Sequence, residues 1–434
     1  MNKGVTRCSL AALTALCMGA VAPARAVDVK AGNWDLSISG NVNAFATYTV
    51  CGSPNTNAAV DFVSVTTPND TATGVMACTK TRDGSPNEFA IESGLLPSAF
   101  VFTAKTRAYD LDVSATIGLY PGLHVADTGT GDGKGTGAGD FTLDVRQNFL
   151  TFGDASWGTI KLGKDLGLFG ADVILSDMTL LSVGGGTAGV GLKNHNVTLG
   201  HIGTGYIYAD WLPQIAYISP NFGGAQISIA AVEGFKFAAG INEAATTNNL
   251  PGVQAKVTYD LAGGMGRIWA GGFYQHTELD TVAEPSLDAM VGELGAKVNI
   301  SGLGAMLYGY YGKGVGTIQF GAAAAAAQKD TAGAITSIEG RKTYGWLAQL
   351  TYAIPNTKFR PGISWGMSYL NQERGDPDVL VHTNAMGTVA LYYAATDTLT
   401  LVAEADHVRS KNWNLTGPNE SKHNSFALGG IMFF

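Results

Sequence analysis

Val253-Gln254-Ala255-Lys256-Val257-Thr258-Tyr259-Asp260-Leu261 changes character at every step. Val253, Ala255, Val257, Tyr259 and Leu261 make one face, and Gln254, Lys256, Thr258 and Asp260 make the other. A period of two belongs to an extended strand, whose successive side chains point to opposite sides. An amide, a lysine, a hydroxyl and an aspartate on one face are too polar for a sandwich core. They suit a water-filled interior, with the apolar face turned to lipid.

The same alternation recurs along the chain. Leu36, Ile38, Val42, Ala44 and Tyr48 oppose Asp35, Ser37, Ser39, Asn41, Asn43 and Thr47. Phe359, Ile363, Trp365, Met367 and Tyr369 oppose Arg360, Ser364 and Ser368. Sixteen such segments begin near residues 34, 98, 111, 141, 157, 211, 225, 252, 266, 290, 303, 343, 358, 381, 398 and 424. Their connections alternate in length. Long ones span 50–86, 124–140, 166–208, 236–251, 278–288, 315–341, 371–380 and 411–422. Short ones include 219–224, Ala262-Gly263-Gly264, Ser301-Gly302 and Pro355-Asn356-Thr357. Trp34, Tyr48, Tyr344, Trp346 and Tyr352 stand near segment ends, where amphipathic rings favour a lipid–water interface. In the last segment Phe426, Leu428, Met432 and Phe434 share a face, and pairing with the first segment would leave no open edge. The expectation is an all-β transmembrane antiparallel barrel of sixteen strands. Eighteen result if Val190 to Leu199 and Ile202 to Tyr208 form an extra hairpin.

Composition narrows the setting. Charged residues are 14% of 434, glycines number 58, and mean hydropathy is only +0.11. Past the N-terminus no run of 18 apolar residues exists, which argues against membrane-spanning helices. Lys3 and Arg7, the apolar run Ser9 to Val21, and Ala24-Arg25-Ala26 read as a secretory signal over 1–26. The mature barrel would then span 27–434, in the outer membrane of a Gram-negative cell. Cleavage removes Lys3, Arg7 and Arg25 from 27 basic residues, leaving 24 against 35 acidic, a net charge of −11. That balance argues against a nucleic-acid partner. Cys8 and Cys17 leave with the signal. Cys51 and Cys78 remain in one polar loop, where an oxidising compartment would pair them.

Catalytic motifs are weak. Gly362-Ile363-Ser364-Trp365-Gly366 matches a nucleophile-elbow pattern, but it lies inside an alternating strand with no helix after it. The seven histidines show no metal-ligand spacing, and neither a metal nor another cofactor is expected. The Gly-rich stretch Gly129 to Gly139 and the run Ala322 to Ala327 read as flexible surface loops. Inward-facing charge is the strongest functional signal. By alternation Lys105, Arg107, Arg146 and Lys161 point inward on neighbouring strands, as a basic wall. The connection 166–208 follows that wall and carries Asp172 and Asp177. Folded inward, it would narrow the lumen and set these acids across from the wall, giving a strong transverse field. The expected function is passive diffusion of small hydrophilic solutes and ions, without enzymatic activity. The runner-up is a substrate-specific channel of the same class. A barrel enzyme or a loop-mediated adhesin is the rival from another class.

Two adjoining stretches also carry a resemblance. They are Asp144-Val145-Arg146-Gln147-Asn148-Phe149-Leu150-Thr151-Phe152-Gly153 and Trp157-Gly158-Thr159-Ile160-Lys161-Leu162-Gly163-Lys164. The chain resembles the trimeric general porins of Gram-negative bacteria. These repeat an Arg-aromatic strand, a short turn at Phe-Gly, and a Gly-x-x-x-x-Gly-Arg entry into an inward-folded third loop. The resemblance implies sixteen strands, a homotrimer in membrane lipid and an assembly signal at Phe434. Lys164 takes the place of that arginine on the basic side of the constriction, though parity sets it opposite to Lys161. The third loop carries fewer acids than the family often shows, with Gly184-Gly185-Gly186 in its midst.

Overall fold

The computed structural model describes residues 26–52, 76–78, 86–123, 143–185, 197–235, 246–247, 249–279, 285–321, 323–331, 335–376, 378, 380–413 and 419–434. Residues 1–25, which fall in the stretch read as a secretory signal, Gly129 to Gly139 and most of Val190 to Leu199 lie outside these residues.

The strands are β1 (Val27–Ala31), β2 (Trp34–Cys51), β3 (Asn87–Glu92), β4 (Ala99–Ala108), β5 (Leu111–Pro121), β6 (Leu143–Asp154) and β7 (Gly158–Leu166). Then come β8 (Trp211–Ile218), β9 (Ala225–Val232), β10 (Thr246–Thr247), β11 (Gly252–Leu261), β12 (Gly266–Leu279), β13 (Ser286–Ile300) and β14 (Leu303–Lys313). The last are β15 (Ala325–Lys329), β16 (Ile335–Gly340), β17 (Lys342–Tyr352), β18 (Phe359–Leu370), β19 (Val381–Ala394), β20 (Leu399–Asn412) and β21 (Glu420–Phe433). Successive wall strands pair antiparallel, and β21 pairs with β2 to close the sheet into a sixteen-stranded barrel. The second wall strand is broken. β3 pairs with residues 45–50 of β2 and β4 with residues 35–41, so the two share one place in the ring.

Three departures from the sequence reading have local causes. The segment placed at 98 begins earlier, because β3 precedes the break at 93–98. There Gly94 lets a buried segment approach: a Cβ would lie 2.2 Å from the Ser182 carbonyl oxygen. β1 had no counterpart in the reading. It covers residues 34–38 of β2, the part of that edge that β21 leaves unpaired. The alanine run is no loose loop. Ala325 to Lys329 pair with Ile335 to Gly340 as a separate hairpin. Alanine's small side chain allows close packing there, and Ala324, Ala325 and Ala326 are buried.

Exposure divides the two faces. Leu428, Leu307, Ile215 and Leu294 are 62–65% exposed, while Asn43, Gln254 and Ser425 on the other face are 0–2% exposed. This inverts a water-soluble protein and matches a barrel with lipid outside. Outward aromatics ring both ends. Tyr311, Tyr344 and Tyr369 stack across β14, β17 and β18 at the long-loop end, with centroids 6.4 and 4.7 Å apart. Phe359 and Tyr393 pack at the short-turn end. The eight steps from Tyr344 to Tyr352 span about 27 Å along the strand, enough for a tilted crossing of the hydrocarbon layer. Short turns close tightly, with Tyr109 and Asp110 both at positive φ (49° and 64°), as a two-residue hairpin requires.

Candidate functional site: the barrel interior

The inner face carries most of the polar side chains, and the described parts of the connection between β7 and β8, 167–185 and 197–210, bond to it strand by strand. Leu168 and Phe169 donate backbone N–H groups to Gln254 Oε1 on β11, at 2.6 and 3.1 Å. Gly170 N–H donates to the Glu293 carboxylate on β13, which also accepts from the Tyr308 hydroxyl at 3.0 Å. A short helix, α1 (Ala171–Ile174), follows. From it Asp172 pairs with Lys256 of β11 at 2.6 Å and Arg267 of β12 at 3.2 Å. Gln349 of β17 accepts from Met178 N–H and donates to the Ser176 carbonyl. Tyr392 of β19 donates to the Met178 carbonyl at 2.7 Å. Glu404 of β20 accepts from the Ser182 hydroxyl and from the N–H groups of Val183 and Gly184.

The return path docks on β18. His201 Nε2 lies 2.7 Å from Ser364 Oγ. A Cβ on Gly366 would fall 2.3 Å from the Thr204 carbonyl oxygen, and one on Gly362 2.8 Å from Met178 Cε. The elbow-like motif therefore has a packing explanation. Its two glycines admit the segment and its serine bonds the histidine. Ser364 and His201 are buried at 3% and 0% exposure, and no acid is bonded to His201 Nδ1 among the described residues. Burial pushes the His201 imidazole below its ordinary value, Asp177 opposing.

The sequence-derived constriction residues have other partners than expected. Asp172 meets Lys256 and Arg267, not Lys105, Arg107, Arg146 or Lys161. The segment has by then reached the third and fourth strands beyond β7 in the ring: six residues past Leu166 can reach about 20 Å. Asp177 does not face a basic wall either. It caps a 3-10 turn at Thr179 N–H and accepts from His201 N–H and the Tyr206 hydroxyl, at 2.9, 3.2 and 2.8 Å. Arg107 sits two residues from a short turn, exposed, and pairs with Asp112 and Asp154. It staples that turn. Arg146 pairs with Asp144 at 2.8 Å beside the Tyr120 ring, and Lys161 pairs with Asp165, buried. Lys105 is on the inner face, across from Asp35 and Ser114. Lys164 has the opposite parity. It and Arg146 both act on Asp210, whose carboxyl burial raises above the usual range.

Sequence reasoning set Lys256 on the inner face but named neither it nor Arg267, Glu293 or Glu404 as a constriction residue. Their inward parity within alternating strands was the available signal. Cys51 and Cys78 are joined by a disulfide. It holds Met76, Ala77 and Cys78 against the inner face. Met76 and Ala77 donate N–H groups to Ser410 Oγ, and Cys78 donates to His423 Nδ1.

A closed sixteen-stranded barrel, apolar outside and polar inside, defines the class of outer-membrane channel proteins. The Gram-negative porin family model matches residues 10–414, and the chain belongs to that family. It is an outer-membrane channel for passive diffusion. The outer membrane channel DcaP of Acinetobacter baumannii shares the fold with a TM-score of 0.65 at 16% identity, covering 94% of this chain and 99% of that one. OmpF of Salmonella typhi, in complex with daunomycin, gives 0.54 at 13%, covering 94% and 100%. OmpT of Vibrio cholerae gives 0.53 at 11%, with the same coverage. No curated protein matches the chain.

Proposed function

We propose that the described parts of the connection between β7 and β8, 167–185 and 197–210, belong to an inward-folded third loop that narrows the channel, and that the protein works as a homotrimeric general porin without catalytic activity. The observation that carries this is the series of bonds from the segment to inward side chains on β11, β12, β13, β17, β18, β19 and β20. Its charged margin is Lys256, Arg267 and Asp172 at β11 and β12, with Lys105 on β4 and the Lys161–Asp165 pair on β7. Asp177 shapes the loop from within. Arg146 and Lys164 belong to the long-loop mouth, where Asp210 leads the chain into β8. Phe434 acts in assembly, its backbone exchanging hydrogen bonds with Gly40. The buried Ser364–His201 pair supports a docking role over hydrolysis.

Planar-bilayer recording of the refolded protein under a KCl gradient tests this. The expected result is stable conductance in steps of three. A folded, heat-modifiable barrel that conducts nothing would sink the reading.

A further inference from the structure

Gln349 and Tyr392 fasten residues 176–178 to the wall, and beneath this fastening lies a cavity of about 260 Å3. It occupies the short-turn end of the barrel, reaching Ser301 and Gly302. Two cations line it, Lys297 on β13 and Arg360 on β18. No acidic residue is among its lining. Met178, Leu181 and Met306 add apolar surface to the same space.

We infer that this cavity is a binding subsite for small organic anions with an apolar body, on the short-turn side of the constriction. The inference rests on the pore reading above. From β13 to β18 is three strand spacings, roughly 14 Å at about 4.8 Å each. Two long cationic side chains therefore bracket the cavity from either side. Low-dielectric walls concentrate their field in the space between. An inorganic anion would use that field alone. An alkyl carboxylate would also cover Met178, Leu181 and Met306, and each buried methylene strengthens binding about fourfold. Asn299 and Thr351, also in the lining, offer an amide and a hydroxyl to the carboxylate.

Hexanoate, hexanamide and acetate, each added to single channels in KCl, test the site. Hexanoate is expected to interrupt the current in a concentration-dependent way, with acetate at least tenfold weaker and hexanamide inert. The double variant Lys297→Met, Arg360→Met, scored against its own open current, should weaken the hexanoate effect at least tenfold. Each single substitution should weaken it about threefold, which keeps the test decisive if the double variant does not fold. Equal interruption by hexanamide, or an unchanged hexanoate effect in the variants, overturns the subsite and leaves the pore standing. Absence of KCl conductance overturns the pore and the subsite together.

Discussion

Single residues of the interior act as fasteners, and their charge states set where the fastening holds. Burial opposes the charge on Asp172, but Lys256 and Arg267 outweigh it and hold the carboxyl below its ordinary 3.8. A depressed carboxyl contributes stability above its unfolded value and loses it as pH falls through the lower folded one. His201 is also depressed, from 6.5, so its contribution declines as pH drops below that figure. Acidification should therefore loosen the His201–Ser364 contact first and the Asp172 anchor only below about pH 4. Conductance recorded from pH 7 to 3 should change in two stages, and His201→Asn should remove the upper one. A single stage in both proteins would contradict this order. Asp172→Asn leaves Lys256 and Arg267 without their shared acid, so anion preference should rise at pH 7. An unchanged reversal potential would remove Asp172 from the conducting path. Gly366→Val tests the close approach on β18. Its side chain would collide with the Thr204 carbonyl, and a conductance like that of the unaltered protein would show that the segment does not need the space.

Elements carry the next set of constraints. β2 is long enough to take four partners: β1 and β21 on one edge, β3 and β4 on the other. Its upper end holds Cys51, whose bridge to Cys78 closes a loop with a sequence separation of 27. Chain-entropy reasoning puts the constraint on the unfolded state at roughly 3.5 kcal/mol. The variant Cys51→Ser, Cys78→Ser should lose about that much stability in urea titration of the detergent-folded barrel. A midpoint and slope equal to those of the unaltered protein would show that the bridge adds nothing. At the other end of β21, the Phe434 ring packs 6.1 Å from Phe100, while its backbone bonds to Gly40. Phe434→Ala keeps the backbone bonds and removes the ring. Its folding yield, read from heat-modifiable migration, should fall severalfold.

For the whole molecule, the decisive property is inversion: apolar side chains outward and polar ones inward around a closed ring. That arrangement has no unpaired edge, so backbone polarity is satisfied within lipid. If three copies assemble, unheated electrophoresis should give a band near three times the mass of the boiled chain, at most three times 45.1 kDa, that collapses on boiling. A monomeric band under conditions that preserve the barrel would rule out the trimer. The strand order and the inner and outer faces were legible because the barrel follows local alternation. Tyr259 faces out and Lys256 faces in simply by parity. The broken β3–β4 strand was not legible, since what interrupts it is Ser182, some ninety residues away along the chain. The charge pairing of Asp172 escaped for the same reason.

By itself the sequence determined the barrel, its polar interior and the position of the long connections, and it left sixteen or eighteen strands. Each of these follows from period-two patterning and turn chemistry, which are properties of neighbours in the chain. Only the tertiary structure decided which acid meets which base. It also decided that Gly362, Ser364 and Gly366 form a docking strip, and that Lys297 and Arg360 share one cavity. Those contacts depend on where the described parts of the connection between β7 and β8 lie against seven distant strands. Burial and close approach select that path, and alternation along any single strand carries no record of it.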